Sequence, residues 1–514
     1  MSVKKLFYIS FICFITSSCT KLDEKLNGTL TLEQAQQSAD ITGLLKSCYS
    51  SFRIPFQDQT GVFCLTDMSS DDCFAPTRGG DWDDNGVWRN LSLHLWDPTN
   101  DRIITNFNNL EQIVFNCTNI LTFAPAPDIA AQAKFLRAYA MFYVLDLYDQ
   151  VPVREPGEDL LLPSQVLKGT EALDRIISDL NEALPDLTDA ESPSYIANKW
   201  AAKALLMKCY LNKGAIANRQ SPTFDNGDMD MVISLADEII NSGKFSLTPN
   251  FFDNFAPTNN VLSGELIFSL ENIRGSEGGN IRYQWHCGTH YNQIPGGWDG
   301  FTTLGEFYDK FEAQDQRIGI AYNDHGYNFT DNTGMRVGFL IGQQYNGAGD
   351  KLQDRAGNLL IFTHDIQAFL TTNVELPGIR VVKYVPDMNS TFTADNSDFM
   401  DNDAVMLRYA DVLLMKAEAL LRKGNASDAL TIVNNLHTVR GASQLSSLTL
   451  DVLSDERGRE FYWETWRRND LIRFGKFLEP TSARTTPSDP KYLIFPIPGN
   501  ALAVNPNLVQ NSGY

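Results

Sequence analysis

Leu407-Arg408-Tyr409-Ala410-Asp411-Val412-Leu413-Leu414-Met415-Lys416-Ala417-Glu418-Ala419 opens the stretch that decides the fold, residues 408–440. Within it, Ala417, Leu420, Gly424, Ala429 and Val433 fall at the spacing of a tetratricopeptide repeat, a helix pair with a period of about 34 residues. The small residues let two helices approach, and Gly424 supplies the turn between them. Tyr210 and Gly214 repeat the four-residue offset inside a second pair, residues 195–243. Such pairs stack because neither helix buries its apolar face alone. The repeats are degenerate and separated, so the expectation is a helical scaffold, not a regular solenoid.

Other helices follow outward from these pairs. Residues 31–52 read as a first helix, ahead of a Gly-, Asp- and Trp-rich segment over 60–97. Phe135-Leu136-Arg137-Ala138-Tyr139-Ala140-Met141-Phe142-Tyr143 puts Leu136, Tyr139, Tyr143 and Leu147 on one helical face, with Pro152 ending the element. Helices are also expected over 169–184, stopped at Pro185, over 195–213, stopped at Gly214, and over 228–242, ending at Gly243. Residues 250–400 differ in character. They are rich in Gly, Asn, Asp and aromatics, with short strand-like runs at Leu266-Ile267-Phe268-Ser269-Leu270 and Arg380-Val381-Val382-Lys383-Tyr384. Long loops on a rigid scaffold are where binding sites tend to lie.

With 43% hydrophobic and 20% charged residues, the chain is of globular type and long enough to bury a large core. Its 514 residues alone would allow about three domains. The formal net charge of −21 removes any general attraction to phosphate backbones, so nucleic acid is not an expected partner. Six cysteines (Cys48, Cys64, Cys73, Cys117, Cys209 and Cys287) show no paired spacing, and their redox state is left open.

Only the N-terminus is basic. Lys4 and Lys5 precede an apolar run, Leu6 to Ile15, which spans about 15 Å as a helix, too short for a hydrocarbon core of ~30 Å. Thr16, Ser17, Ser18 and Cys19 then lead small residues into a cysteine. This looks like a lipoprotein signal over 1–18, with Cys19 lipidated and a tether over 19–30; cleavage near Ser18 leaving a free Cys19 is the alternative. Lys21, Leu22, Asp23 and Glu24 resemble the tag that directs some bacterial lipoproteins to the cell surface.

Further motifs lie near the C-terminus: Asp455-Glu456-Arg457-Gly458-Arg459-Glu460-Phe461, Trp466-Arg467-Arg468-Asn469-Asp470-Leu471-Ile472-Arg473-Phe474-Gly475, Phe495-Pro496-Ile497-Pro498, Asn505-Pro506-Asn507-Leu508 and Gln510-Asn511-Ser512-Gly513-Tyr514. In this order, with the Leu407–Ala419 segment, the Phe135–Tyr148 helix and the lipoprotein signal, they resemble the SusD/RagB family of surface nutrient-binding lipoproteins. The resemblance implies a mostly α fold: a single domain over 31–514, with tetratricopeptide-like helix pairs (about 31–245 and 403–475) packed against a loop-rich, ligand-binding part (about 250–400) with a few short strands. It also implies a non-enzymatic, cell-surface-exposed outer-membrane lipoprotein without cofactors. Such a protein captures oligosaccharide and passes it to a SusC-like TonB-dependent transporter. A peptide-binding RagB-like member and a structural transporter lid are the alternatives. Glu464 stands three and four residues before Arg467 and Arg468, the spacing of helix-surface ion pairs, so this charged motif reads as structure rather than as catalytic carboxylates. Pro496, Pro498 and Pro506 read as a rigid tail laid back on the scaffold.

Sugar binding needs flat aromatic faces and a few planar polar groups. Arg78-Gly79-Gly80-Asp81-Trp82-Asp83-Asp84-Asn85-Gly86-Val87-Trp88 offers that mixture, making Arg78, Asp81, Trp82, Asn85 and Trp88 candidates. Trp285, Tyr291 and Trp298 form a second group, with Gly288, Gly296 and Gly297 placed to expose the rings. Trp96 is expected to pack on a helix starting at Pro98 and Asn100. No metal site is expected. Asp81, Asp83, Asn85 and Gly86 open like a calcium loop, but Ser92 stands where Glu is required. His286 and His290 are four apart, with Gly288 between them and no further ligand cluster.

Overall fold

The computed structural model describes residues 39–323, 336–388 and 400–514. The signal, Cys19, the tether and the start of the first expected helix lie outside them. Asp40–Tyr514 forms one compact unit. Its first helix, α1 (Ile41–Ser51), begins where the Asp40 carboxylate accepts the Gly43 amide at 2.9 Å.

The scaffold is built from α2 (Asp101–Thr122), α3 (Pro127–Tyr148), α4 (Gly169–Ala183), α5 (Lys199–Ala217), α6 (Asn226–Asn241), α7 (Tyr409–Arg422) and α8 (Ala426–Arg440). Each packs against the next in chain order, and α7 continues on α6 across an excursion of residues 242–408. Helix pairs far apart in sequence therefore join into one stack, the helical scaffold expected from their spacing. The centre of the stack is α3, with every residue from Phe135 to Tyr148 buried, as an all-round apolar helix requires. Gly424, at φ +85°, makes the turn between α7 and α8.

Two local expectations are corrected. α3 stops because Asp149 takes a left-handed φ of 63°, while Pro152 lies in a strand, Gln150–Val153, paired antiparallel with Gln165–Lys168. α5 runs through Gly214, because that glycine serves packing: the Thr223 carbonyl occupies the space a Cβ would need. Trp96 packs on the C-terminal tail. Its indole N–H donates to the Tyr514 hydroxyl at 2.8 Å, and its ring lies 4.6 Å from that of Phe495. The tail does lie back on the scaffold, with the Phe495 amide donating to the Leu147 carbonyl at 2.8 Å and the Asn511 amide to that of Tyr148 at 3.0 Å.

The excursion is closed at its base by Leu266–Leu270 pairing antiparallel with Ala404–Arg408. Beneath that pair lies a buried charge network fed by α8 and by α9 (Leu450–Phe461). Glu460 accepts from Arg408 at 2.7 Å, from Arg440 at 2.8 Å and from Arg317 at 2.9 Å. Glu265 accepts from Arg408 at 2.9 Å and from Arg440 at 2.6 Å. Burial alone would raise the Glu460 pKa, but the Arg440, Arg408 and Arg317 charges hold it well below the usual carboxylate range.

The charged C-terminal motif is thus structural, by a different geometry from the one expected. Trp463 and Thr465 have φ of 59° and 66° and break the helix before α10 (Arg467–Arg473). Glu464 therefore turns to Arg408 at 2.8 Å and Lys383 at 2.9 Å, while Arg467 pairs with Asp71. Cys48, Cys64, Cys73, Cys117, Cys209 and Cys287 are buried free thiols. Among the described residues no helix is long and apolar enough to cross a membrane.

Two stability predictions follow from this packing. Glu460→Ala removes the carboxylate that three buried guanidinium groups share and is expected to cost about 3–5 kcal/mol, read as a lower midpoint in urea unfolding. Gly214→Ala forces a methyl against the Thr223 carbonyl and is expected to cost about 1–3 kcal/mol in the same measurement, although Ala is the better helix former.

Candidate glycan-binding surface

Two loops meet at one end of the loop-rich half. Phe74 and Thr302 exchange backbone hydrogen bonds at 2.6 and 2.9 Å, which joins the 74–97 segment to the 281–304 segment. Strand Thr77–Arg78 runs parallel to Phe369–Leu370. Arg78 then locks the junction. Its guanidinium donates to the carbonyls of Gly300 at 2.9 Å, Val374 at 2.6 Å and Pro377 at 3.0 Å. Burial, with Arg380 adding to it, pushes the Arg78 pKa down to about 9. Arg78 is therefore inside the frame, not on the binding surface where the sequence placed it.

Beyond Arg78 the chain turns sharply, with φ of 59°, 38° and 56° at Trp82, Asp84 and Asn85. This turn delivers the Trp82 indole onto Gly300, where a Cβ would collide with the ring. The Trp82 N–H donates to the Trp298 carbonyl at 3.1 Å. The two indoles lie 6.1 Å apart at 51°, forming an open V. Phe301 supports Trp82 from below at 4.6 Å and Trp88 does so edge-on at 5.9 Å.

Trp298 and Tyr291 are each 37% exposed, a large fraction for rings of this size. Over the Tyr291 ring sits the Arg355 guanidinium, 4.4 Å from its centroid. Arg355 is paired with Glu375 and lies 3.8 Å from Asp81, the neighbour of Trp82. That contact brings Tyr291 and Trp82 onto one surface. Glu375 in turn holds His290, whose Nε2 lies 2.8 Å from it. The His290 Nδ1 accepts from the Asn292 amide at 3.1 Å, so Nε2 carries the proton.

Of the candidate residues, Asp81, Trp82, Tyr291 and Trp298 come together. Asn85 is exposed on the adjoining turn. Trp88 and Trp285 are corrections. Trp88 is buried, its N–H donating to Asp84 at 2.7 Å and its ring covered by Arg102 at 4.6 Å. Trp285 is fully buried, because the 283–286 helical turn points it into the core. The calcium-like turn is bound up differently: the Asp83 carboxylate accepts from Arg89 at 2.9 Å. Arg355 and Glu375 join this surface without a distinguishing signal in the sequence. The Asp354-Arg355-Ala356-Gly357 run signals a tight turn, but nothing local says that this turn meets Tyr291.

The SusD family profile matches residues 241–514, and a second profile, described as starch-binding associating with outer membrane, matches residues 67–211. The starch-binding protein SusD of Bacteroides thetaiotaomicron is 24% identical across 100% of this chain and 99% of its own. The SusD-like protein P25 of Formosa agariphila is 24% identical across 100% of both. Among solved structures, a SusD superfamily protein from Parabacteroides distasonis superposes with a TM-score of 0.72 at 19% identity, over 95% of this chain and 100% of that one. A laminarin-binding SusD-like protein does so with a TM-score of 0.69 at 22% identity, over 92% and 99%. With the helical stack, the excursion between α6 and α7 and the matched C-terminal half all in agreement, the chain belongs to the SusD family.

Proposed function

We propose that this protein is a cell-surface glycan-binding lipoprotein, anchored to the outer membrane through Cys19, that captures oligosaccharide and delivers it to a SusC-like TonB-dependent transporter. The observation that carries this reading is the aromatic platform of the exposed Trp298 and Tyr291 rings and the half-buried Trp82. Its rings stand at different angles, as needed to lie along the apolar C–H faces of successive sugars. Asp81 and Arg355 at its edge are planar groups suited to pairs of hydroxyls.

Family relatives named for starch and laminarin binding support a carbohydrate ligand over a peptide. The role is binding without turnover. The buried carboxylates of the charged motif are engaged by arginines, and hydrolysis needs a carboxyl group with a raised pKa in an open cleft.

The test is calorimetric titration of residues 20–514 with neutral oligosaccharides, including starch- and laminarin-derived ones, and with peptides. Saturable binding of a glycan is expected. Trp82→Ala and Trp298→Ala should each weaken it about tenfold or more, with no shortening of the sugar on prolonged incubation. Peptide binding in place of sugar would overturn the glycan reading. Silence across the panel would favour a lid that leaves ligand contact to the transporter.

A further inference from the structure

Beside Trp298 lies a cation whose surroundings differ from those of the other arginines at this end of the molecule. The Arg282 guanidinium stands 5.5 Å from the Trp298 ring centroid. Its Nε donates to Asn280 at 2.8 Å, and Asn280 is itself held by Asp58 and Gln59, each at 2.9 Å. The side chain is therefore aimed. Its Nη1 is buried and makes no hydrogen bond. Asp58 is the nearby carboxylate, yet it is bound elsewhere: one oxygen takes the Thr60 amide and hydroxyl at 2.8 and 2.6 Å, the other takes Asn280. Among the described residues Arg282 has no ion-pair partner, whereas Arg355 at the far end has both Glu375 and Asp81.

Adjacent groups extend the deficit. The His286 ring lies edge-on to Trp298 at 4.5 Å. Burial, and then the Arg282 charge, push its pKa down to about 4, so it is neutral at pH 7 and adds no competing charge. Its ring has only a loose backbone contact, at Gly296, and the Thr289 hydroxyl nearby is unpartnered. Polar groups left this way in the interior cost free energy.

We propose that Arg282 makes the Trp298 end of the platform a carboxylate-recognition point, so that the preferred ligand is an oligosaccharide carrying a uronic-type acidic sugar. The proposal rests on the glycan reading above and names its substrate class. The other Nη group is not enclosed and can donate a charge-assisted hydrogen bond to a carboxylate, and a half-desolvated cation gains from a counter-charge. The acidity of the whole molecule does not oppose this, because charges beyond about 8 Å are screened at physiological salt. The two ends of the platform differ in sign. Asp81 and Glu375 outnumber Arg355 at the Tyr291 end, while Arg282 is uncompensated at the Trp298 end. A bound chain would thus place its acidic residue at Trp298.

The test compares each acid with its own methyl ester, which keeps the sugar and removes the charge: trigalacturonate, a mannuronate trimer and a glucuronic-acid-bearing xylo-oligosaccharide. At least one acid should bind about tenfold or more tightly than its ester. That ratio should collapse towards one in Arg282→Gln and in about 0.5 M salt. Arg282→Lys, which keeps the charge but not the planar donor aimed by Asn280, should show an intermediate ratio, and it serves as the readout if the Gln variant does not fold. No acid preferred over its ester, or a ratio unchanged in the Arg282 variants, overturns the proposal. If Trp82→Ala and Trp298→Ala bind every sugar as the parent does, the glycan reading of this surface has failed, and this inference with it. If they lose binding while the ratio ignores Arg282, only this inference has failed.

Discussion

Glu460 and the three guanidinium groups around it are the constraint on which the rest of the molecule depends. Moving an ion out of water costs several kcal/mol, recovered only when every partner is in place. Here the partners come from four distant stretches. Glu265 precedes the strand that leaves the helical stack, Arg408 ends the strand that returns to it, Arg440 closes α8, and Arg317 sits inside the excursion. None of these charges is tolerable in the interior alone. The base of the loop-rich half is thereby fixed against the stack as one cooperative unit, and the Tyr409 amide, donating to the Glu265 carbonyl at 2.8 Å, starts α7 from that same point.

Above the base, regular sheet gives way to another way of satisfying backbone groups. Irregular segments carry carbonyls that no ladder pairs, and buried ones need donors. Two arginines supply them. Arg78 takes the carbonyls of Gly300, Val374 and Pro377. Arg380 takes those of Pro377, Gly378 and Glu375 at 2.7, 2.7 and 2.9 Å, and pairs with Asp299 at 2.7 Å. The loops that bear Trp82, Trp298 and Glu375 are thus pinned from inside by side chains, so an outer surface free of regular structure still has a defined shape.

What could be read from the sequence divides along the range of the responsible interaction. Helix spans, the Gly424 turn and the Gly243 stop were legible because periodicity and glycine conformation are local. Gly214 was misread as a stop because its reason lies in Thr223, a neighbour brought close by tertiary packing. Glu464 was misassigned because the break at Trp463 and Thr465 is imposed by context that no helical spacing reveals. At the candidate surface, the sequence separated aromatic-rich loops from core but could not rank residues of one type. Trp82 and Trp88 stand six apart in the same acidic run, and which one reaches solvent is decided by Gly300 and Phe301, more than two hundred residues away. Arg282 and Arg355 carry no local signature at all; only the assembled surface distinguishes a paired arginine from an unpaired one.

The backbone at Trp82 supplies a last physical argument. A bulky residue at positive φ is uncommon, and each such residue costs on the order of 1–3 kcal/mol unless the surroundings over-determine it. Trp82, Asp84 and Asn85 accept that conformation within four residues. The compensation is visible: Arg78 and Asp81 exchange backbone hydrogen bonds at 2.9 Å, the Trp82 N–H is fixed on the Trp298 carbonyl, and its ring fills the space left by Gly300. A relaxed turn would cost less and hold the indole less firmly. Strain kept at this half-buried aromatic holds its ring in one place, and a ring already fixed loses little rotational freedom in any binding event.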